Sequence, residues 1–316
     1  MLWFYILIFI AATFFITISS KMVVSSLSHI ARFLGWKEFI VAFFIMAFAS
    51  SAPNLFLGII SALQGIPELS FGDVMGGNLI DLTVVLAIAV FMSKKGIEAE
   101  SRIVQSTAIF TVIFALLPFF LITDGVLGRF DGFILILSYF LYSAWLFKRK
   151  ERFTKVYEEN SSANFSSFLR DIGLVALSIV ILFFSAQGII KSAMFFASSF
   201  NMSIGLIGIL IVGLGNSMPE TFFSLISVKR GEGWMVLGNL MGGVVNTATM
   251  VLGIVALIHP IIFTNFSPFL ISRFFLIIAT LVFLLAIRTG HKITKKEGLF
   301  LLAIYIIFLI VEILTK

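Results

Sequence analysis

Apolar residues run in long blocks along this chain, and polar residues gather in short gaps between them. Ten blocks stand out, at roughly 2–20, 38–63, 70–92, 103–122, 126–147, 171–194, 203–228, 234–258, 266–287 and 297–314. Each is close to the ~20 apolar residues that a helix needs to cross a bilayer. The pattern predicts an all-α membrane protein with ten transmembrane helices. The widest polar gap, residues 148–170, opens with KRKERFTKVYEENSS. It reads as a solvated cytoplasmic linker. It parts a first five-helix repeat, residues 1–147, from a second, residues 171–316. The first block, Met1–Ile18, has no basic residue before it, and Lys21 comes after it. A secretory signal has the reverse order, so this block reads as a retained helix.

The basic residues orient the chain. With the N-terminus outside, 18 of the 22 Lys and Arg residues fall on the inner side, Lys21 and Arg32 in the first loop among them. Only Arg129, Lys191, Arg273 and Lys316 fall outside. This is the positive-inside pattern, and ten spans then put both termini outside.

An internal repeat refines the picture. Residues 49–91 align without gaps on residues 215–257, a shift of 166. The identical pairs include Ser51/Ser217, Pro53/Pro219, Gly65/Gly231, Gly72/Gly238, Gly76/Gly242, Gly77/Gly243 and Thr83/Thr249. Five helices per copy is an odd number, so the second copy must lie upside down relative to the first. Inverted repeats of this kind typify secondary transporters, with the substrate site where the repeats meet.

Composition agrees with a bilayer as the solvent. Apolar residues make up 60% of the 316 and charged ones 12%, against about 45–50% and about 25% in soluble domains. The basic residues sit in short clusters between apolar blocks, which makes nucleic-acid binding a poor reading. The chain has no Cys, so neither disulfides nor thiolate metal sites are available.

The candidate chemistry lies at two prolines. The second block contains AFASSAPNLFLG and the seventh VGLGNSMPETFFS. Proline removes a backbone donor and breaks or kinks a helix. Broken backbone at membrane depth persists where it is buried in protein or lines a wet cavity. There, carbonyls and Ser hydroxyls can replace the water around a cation. A single proline would read as an ordinary kink; two at matched positions, each flanked by Ser, read as a site. Glu220 stands in mid-block, where a charge costs about 2.5–3.5 kcal/mol on insertion scales and marks a functional candidate. The third and eighth blocks contain FGDVMGGNLIDLT and LGNLMGGVVNTAT. Asp81 lies well inside its block. Asp73 lies nearer the entrance and reads as a solvated or helix-start residue. The Gly pairs fit close helix packing as well as site-building. Carboxylates, amides, hydroxyls and carbonyls are the ligands of hard cations, and the lack of His and Cys in these stretches disfavours softer metals. His29, His259 and His291 fall near block ends and read as interfacial.

These stretches resemble the two alpha-repeats of the sodium/calcium exchanger family, within the wider cation/calcium exchanger superfamily. The family pattern Gly-Thr/Asn-Ser-x-Pro-Glu/Asp appears as Ala49–Asn54 and Gly215–Glu220. The pattern Gly-Asn-x-x-Gly-Ser-Asn-x-x-Asn/Asp appears as Gly72–Asp81 and Gly238–Thr247. The resemblance implies a cation site between helices 2, 3, 7 and 8. Its ligands would be Ser50, Ser51, Asn54 and Asp81 from the first half and Ser217, Glu220 and Thr247 from the second. Asn216 would stand beside them, and the backbone carbonyls of Ala47 and Gly213 would lie before the breaks. Helices 1 and 6 would slide past the rest to give alternating access. The implied activity is secondary antiport of calcium against sodium or protons, with inorganic cations and the lipid bilayer as the partners, no cofactor and no enzymatic step. The short loops favour a prokaryotic plasma membrane; the oligomeric state stays open.

The departures from the pattern keep alternatives alive. Asn54 replaces an acid, Gly77 and Gly243 replace serines, and Thr247 replaces Asn or Asp. Glu220 and Asp81 then remain as the firm carboxylates, enough for one divalent ion or two monovalent ones. Selectivity shifted to monovalent cations or protons is one alternative; on that reading Asn54→Glu would raise calcium transport. A passive cation pathway or a non-transporting homologue is the other.

Overall fold

The structure is a computed structural model that describes residues 1–33, 51–147, 165–231, 233–263 and 267–315. In chain order the helices are α1 (Leu2–Phe33), α2 (Ala52–Leu63), α3 (Pro67–Met92), α4 (Arg102–Leu121), α5 (Arg129–Phe147), α6 (Phe165–Phe200), α7 (Ile204–Lys229), α8 (residues 233–258), α9 (Ser267–Arg288) and α10 (Lys295–Leu314). Eight of these, α2 and α5 excepted, are long and apolar enough to cross a membrane. The first part of the second apolar block, residues 38–50, lies outside the described residues.

The helix ends follow local chemistry. Ser101 caps α4 by accepting the Ile103 N–H at 3.3 Å. Thr294 opens α10 with a capping box, its N–H donating to Glu297 at 2.6 Å. Such caps satisfy backbone donors that the first helical turn leaves free. Pro53 falls in the first turn of α2, and Pro219 in the first turn of the segment Met218–Lys229 of α7. That is where a missing N–H costs nothing. Pro53 therefore opens α2 just after Ser51, and Pro219 opens a new segment of α7 after the interruption at Ser217. Gly65 and Gly231 follow these segments with φ of 71° and 78°, a left-handed turn that glycine adopts without steric cost.

The shift of 166 holds in the secondary structure. Ala52–Leu63 matches Met218–Lys229, and Pro67–Ile80 matches Gly233–Asn246. The π turn Asp81–Val85 matches the π turn Thr247–Val251, and Leu86–Met92 matches Leu252–Ile258. A further π turn, Gly208–Val212, interrupts α7.

α3 and α8 form the core. The most apolar stretches of these two helices are 83% and 72% buried, against 22% and 28% in α1 and α6. Lipid tails give apolar helices little reason to prefer one another, so close backbone approach matters more. A Cβ on Gly72 would stand 2.0 Å from the Gly205 carbonyl oxygen, and one on Gly76 would stand 2.1 Å from that of Ile209. Only glycine lets α3 lie this close to α7. α1 and α6 pack along each other in opposite directions. Tyr5 stacks on Phe195 at 4.1 Å near one end, and His29 faces Asp171 at 3.4 Å near the other.

Three expectations need correction. α1 continues through Phe33, so Lys21 and Arg32 lie on a helix and not in a loop. The serines that end the apolar block do not end the helix, because they turn inward. Ser20 donates to the Ile16 carbonyl at 2.7 Å, and Ser19 and Ser26 are buried. α6 likewise begins at Phe165, inside the stretch read as linker, and runs on past Lys191 to Phe200. The fold is also not wholly helical. β1 (Ile97–Glu98) pairs antiparallel with β4 (Lys292–Ile293), and β2 (Val126–Leu127) with β3 (Ile261–Ile262). Strands of two residues are too short to show an alternating pattern.

Candidate functional site

The two breaks bring α2, α3, α7 and α8 together, and polar side chains join them across the interior. Asp73 on α3 is fully buried. Its Oδ2 accepts from Asn54 Nδ2 at 3.2 Å, and its Oδ1 from Asn216 Nδ2 at 2.9 Å. One amide comes from α2 and the other from α7. Asn246 on α8 donates to the Ser51 hydroxyl at 2.9 Å. The Thr247 hydroxyl lies 2.8 Å from Asn78 Oδ1 and 3.0 Å from the Gly243 carbonyl. Ser217 lies 3.4 Å from the Gly77 carbonyl and within hydrogen-bonding reach of the Asp81 carboxylate. The Asp73–Asn216, Ser51–Asn246, Asn78–Thr247 and Gly77–Ser217 contacts each join residues at least 140 positions apart, so the site exists only in the folded chain.

Two oxygens stand out. Asp81 Oδ1 and Glu220 Oε2 are buried, and neither has a hydrogen-bond partner among the described residues. A buried carboxylate oxygen without a donor is costly, and a bound cation would satisfy it. Among the described residues no three His, Cys, Asp or Glu side chains form a metal-holding group. The donor set is instead carboxylates set among hydroxyls and amides, a mixture suited to a hard cation.

Of the sequence-predicted residues, Ser51, Asn54, Asp81, Asn216, Ser217 and Thr247 are brought into this hydrogen-bonded network. Glu220 lies near enough to Asp81 and Asp73 for like-charge repulsion among the three carboxylates, and its Oε2 has no hydrogen-bond partner among the described residues. The Gly213 carbonyl accepts the Ser217 N–H at 3.0 Å, so the break does not free it from the helix ladder. Ala47 and Ser50 lie outside the described residues.

Asp73 corrects the sequence-based reading. It is not a solvated helix-start residue, because the wall facing it is α7. A Cβ on Gly208 would stand 2.9 Å from the Asp73 nitrogen. The pattern Gly-Asp-x-x-Gly carries a signal of this, since glycines on both sides mark the face of α3 that is pressed against a neighbour. Glu312 on α10, only 3% exposed, was not singled out in the sequence, where it lies in the last turn of the final block. The π turns that begin at Asp81 and Thr247 were not foreseen either. Each carries a threonine, Thr83 or Thr249, whose hydroxyl donates at 2.5 Å to the carbonyl four residues back. Such local bonds offer helical backbone an alternative partner, and π turns recur at functional sites. The identity of Thr83 and Thr249 in the repeat was their trace in the sequence.

Comparison with known proteins points the same way. The model of the family described as sodium/calcium exchanger protein matches residues 4–148 and 171–314. CaxA of Alkalimonas amylolytica, which bears the name of a candidate antiporter, is 27% identical over 91% of this chain and 92% of its own length. The sodium/calcium exchanger MaX1 of Methanosarcina acetivorans is 24% identical over 96% and 97%. Among solved structures, the sodium-calcium exchanger NCX_Mj in a form soaked with Na+ and Sr2+ superposes with a TM-score of 0.63. It is 23% identical and covers 97% of this chain and 98% of its own. That likeness establishes the fold.

Proposed function

The chain belongs to the sodium/calcium exchanger family, and from that premise we propose that it is a secondary antiporter that exchanges calcium for sodium or protons. Transport proceeds by alternating access between two inverted five-helix repeats, residues 1–147 and 171–316. The residues between α5 and α6, which begins at Phe165, link them on the cytoplasmic side, and both termini lie outside. The strand pairing supports the inversion. β1 follows the third helix of its half and pairs with β4, which follows the fourth helix of the other half. Two copies with the same orientation would put those loops on opposite faces. The opposed directions of α1 and α6, the first helices of the two halves, support it equally. These two exposed helices are the elements that slide.

The cation binds between α2, α3, α7 and α8. Asp81 and Glu220 supply carboxylate oxygens. Ser51, Asn54, Asn216, Ser217 and Thr247 supply neutral ones, with Ser50 and the Ala47 and Gly213 carbonyls at the margins. The observation that carries this reading is the pair of buried, unpartnered oxygens of Asp81 and Glu220 beside matched helix breaks. Members of the family handle inorganic cations, and the multi-pass chain fits a prokaryotic plasma membrane. A second reading, selectivity shifted to monovalent cations or protons, is favoured by the neutral Asn54.

Radioactive calcium uptake into proteoliposomes tests the proposal, driven in parallel by outward sodium and outward proton gradients. Uptake under either gradient, lost in Glu220→Gln, is the expected result. Full activity in that variant would remove Glu220 from the site. No calcium uptake, with sodium or proton flux intact, would favour the second reading.

A further inference from the structure

The repeat register exposes an exchange between the halves. In the second half the residue after proline is the acid Glu220, and the residue 19 positions on is the amide Asn239. In the first half the residue after proline is the amide Asn54, and the residue 19 positions on is the acid Asp73, bonded to it at 3.2 Å. The same acid and amide stand at matched positions in both halves, traded between helices, and the first-half pair is hydrogen-bonded.

The trade has a geometric consequence. An ionised carboxylate only accepts hydrogen bonds. Asn54 and Asn216 must therefore both turn their nitrogens toward Asp73, one to each oxygen. The carbonyl branch of a planar amide then points away from Asp73. One acid on α3 thus sets the orientation of one amide on each broken helix.

We infer that Asp73 is a positioning residue for cation selectivity. It holds the amide oxygens of Asn54 and Asn216 as neutral ligands and returns to the site the charge that Asn54 lacks, without giving up an oxygen of its own. The inference rests on the exchanger reading above and says how its site is charged. Partners of this kind that orient ligands tune affinity by about 10–100-fold.

A charge that acts through space has a distinctive signature. Its Coulomb energy with a divalent ion is twice that with a monovalent ion at the same place. Removing it should raise the KM for calcium by about the square of the factor for the monovalent counter-ion, for example about a hundredfold against about tenfold. A packing defect would move both alike.

The test measures KM and maximal rate for both ions in proteoliposomes of wild type, Asp73→Asn and the double variant Asn54→Glu/Asp73→Asn. The double variant gives the first half the arrangement of the second. The expected result is a charge-graded rise in KM for Asp73→Asn, a smaller change in maximal rate, and recovery in the double variant to within about threefold of wild type. Unchanged KM values, equal rises for both ions, or no recovery in the double variant would overturn the inference while leaving an active wild type as an exchanger. A wild type that moves no cation would overturn the exchanger reading, and the inference with it. Should Asp73→Asn fail to fold, Asp73→Ser carries the test, because it keeps a hydroxyl that can accept from an amide and removes the charge. A calcium KM raised by about the square of the factor for the counter-ion supports the inference, and equal rises or unchanged values overturn it.

Discussion

In the first half the broken helix carries Asn54 and the next helix carries Asp73 and Asp81; in the second half the broken helix carries Glu220 and the next offers Asn239 and Thr247. The backbone of these stretches is the same to the residue. The breaks at Ser51 and Ser217 and the π turns from Asp81 and Thr247 all keep the shift of 166. Two copies of one scaffold thus hold their charges on different helices. Backbone register is constrained by the need to satisfy every peptide group in a bilayer, and it cannot drift. A carboxylate only has to lie within reach of the same ion or the same amide, so it can move to a hydrogen-bonded neighbour.

Glu220→Gln breaks the comparison hardest, because it leaves an amide after both prolines. Calcium exchange should fall at least ~100-fold, on the order of 3 kcal/mol for a lost charged ligand in a desolvated site. Initial uptake rates check this, and a rate within threefold of wild type would remove Glu220 from the machinery. Asn54→Glu makes the halves alike in the opposite sense, but it sets a second carboxylate against Asp73. Like charges that close disfavour each other, so the expectation of better calcium transport from the sequence reverses. We expect a ~10-fold loss of calcium affinity, on the order of 1.4 kcal/mol, readable in the KM. Gly76→Ala probes the backbone that the halves share. Its methyl would meet the Ile209 carbonyl, and overpacking of that kind costs about 1–3 kcal/mol. A lowered melting temperature in detergent is the readout. Thr83→Val and Thr249→Val should have the smallest effects, about 1 kcal/mol each for one lost hydrogen bond. Equal shifts in melting temperature would sharpen the symmetry, and unequal ones would show that one π turn is held by other contacts.

The scaffold was readable in the sequence because its constraints are written in rare residues. Pro53/Pro219, Gly65/Gly231 and Thr83/Thr249 repeat at one spacing, and the lengths of the apolar blocks give the helices. The end of α1 was misread because its inward-facing serines Ser19, Ser20 and Ser26 look like loop residues, and the ends of α6 because its exposed polar turns look like loop. The repeated Thr83 and Thr249 marked the positions of the π turns but not their geometry, since an α and a π turn differ by one hydrogen bond and share one hydrophobic pattern. Ser51, Asp81, Ser217 and Glu220 could be named from the sequence as acids and hydroxyls beside helix breaks. The part played by Asp73 could not. It depends on Asn216, 143 residues away; the flanking glycines mark a covered face of α3, but no local pattern reports which side chain lies across from it.

The most direct test of the central claim is to let vesicles accumulate calcium under an outward sodium or proton gradient and then collapse that gradient with an ionophore. An antiporter built on the shared site predicts accumulation above equilibrium that drains once the gradient is gone, and neither phase in Glu220→Gln. Calcium entry that proceeds equally with no counter-ion gradient, and never exceeds equilibrium, would contradict coupled exchange and leave a passive pathway in its place.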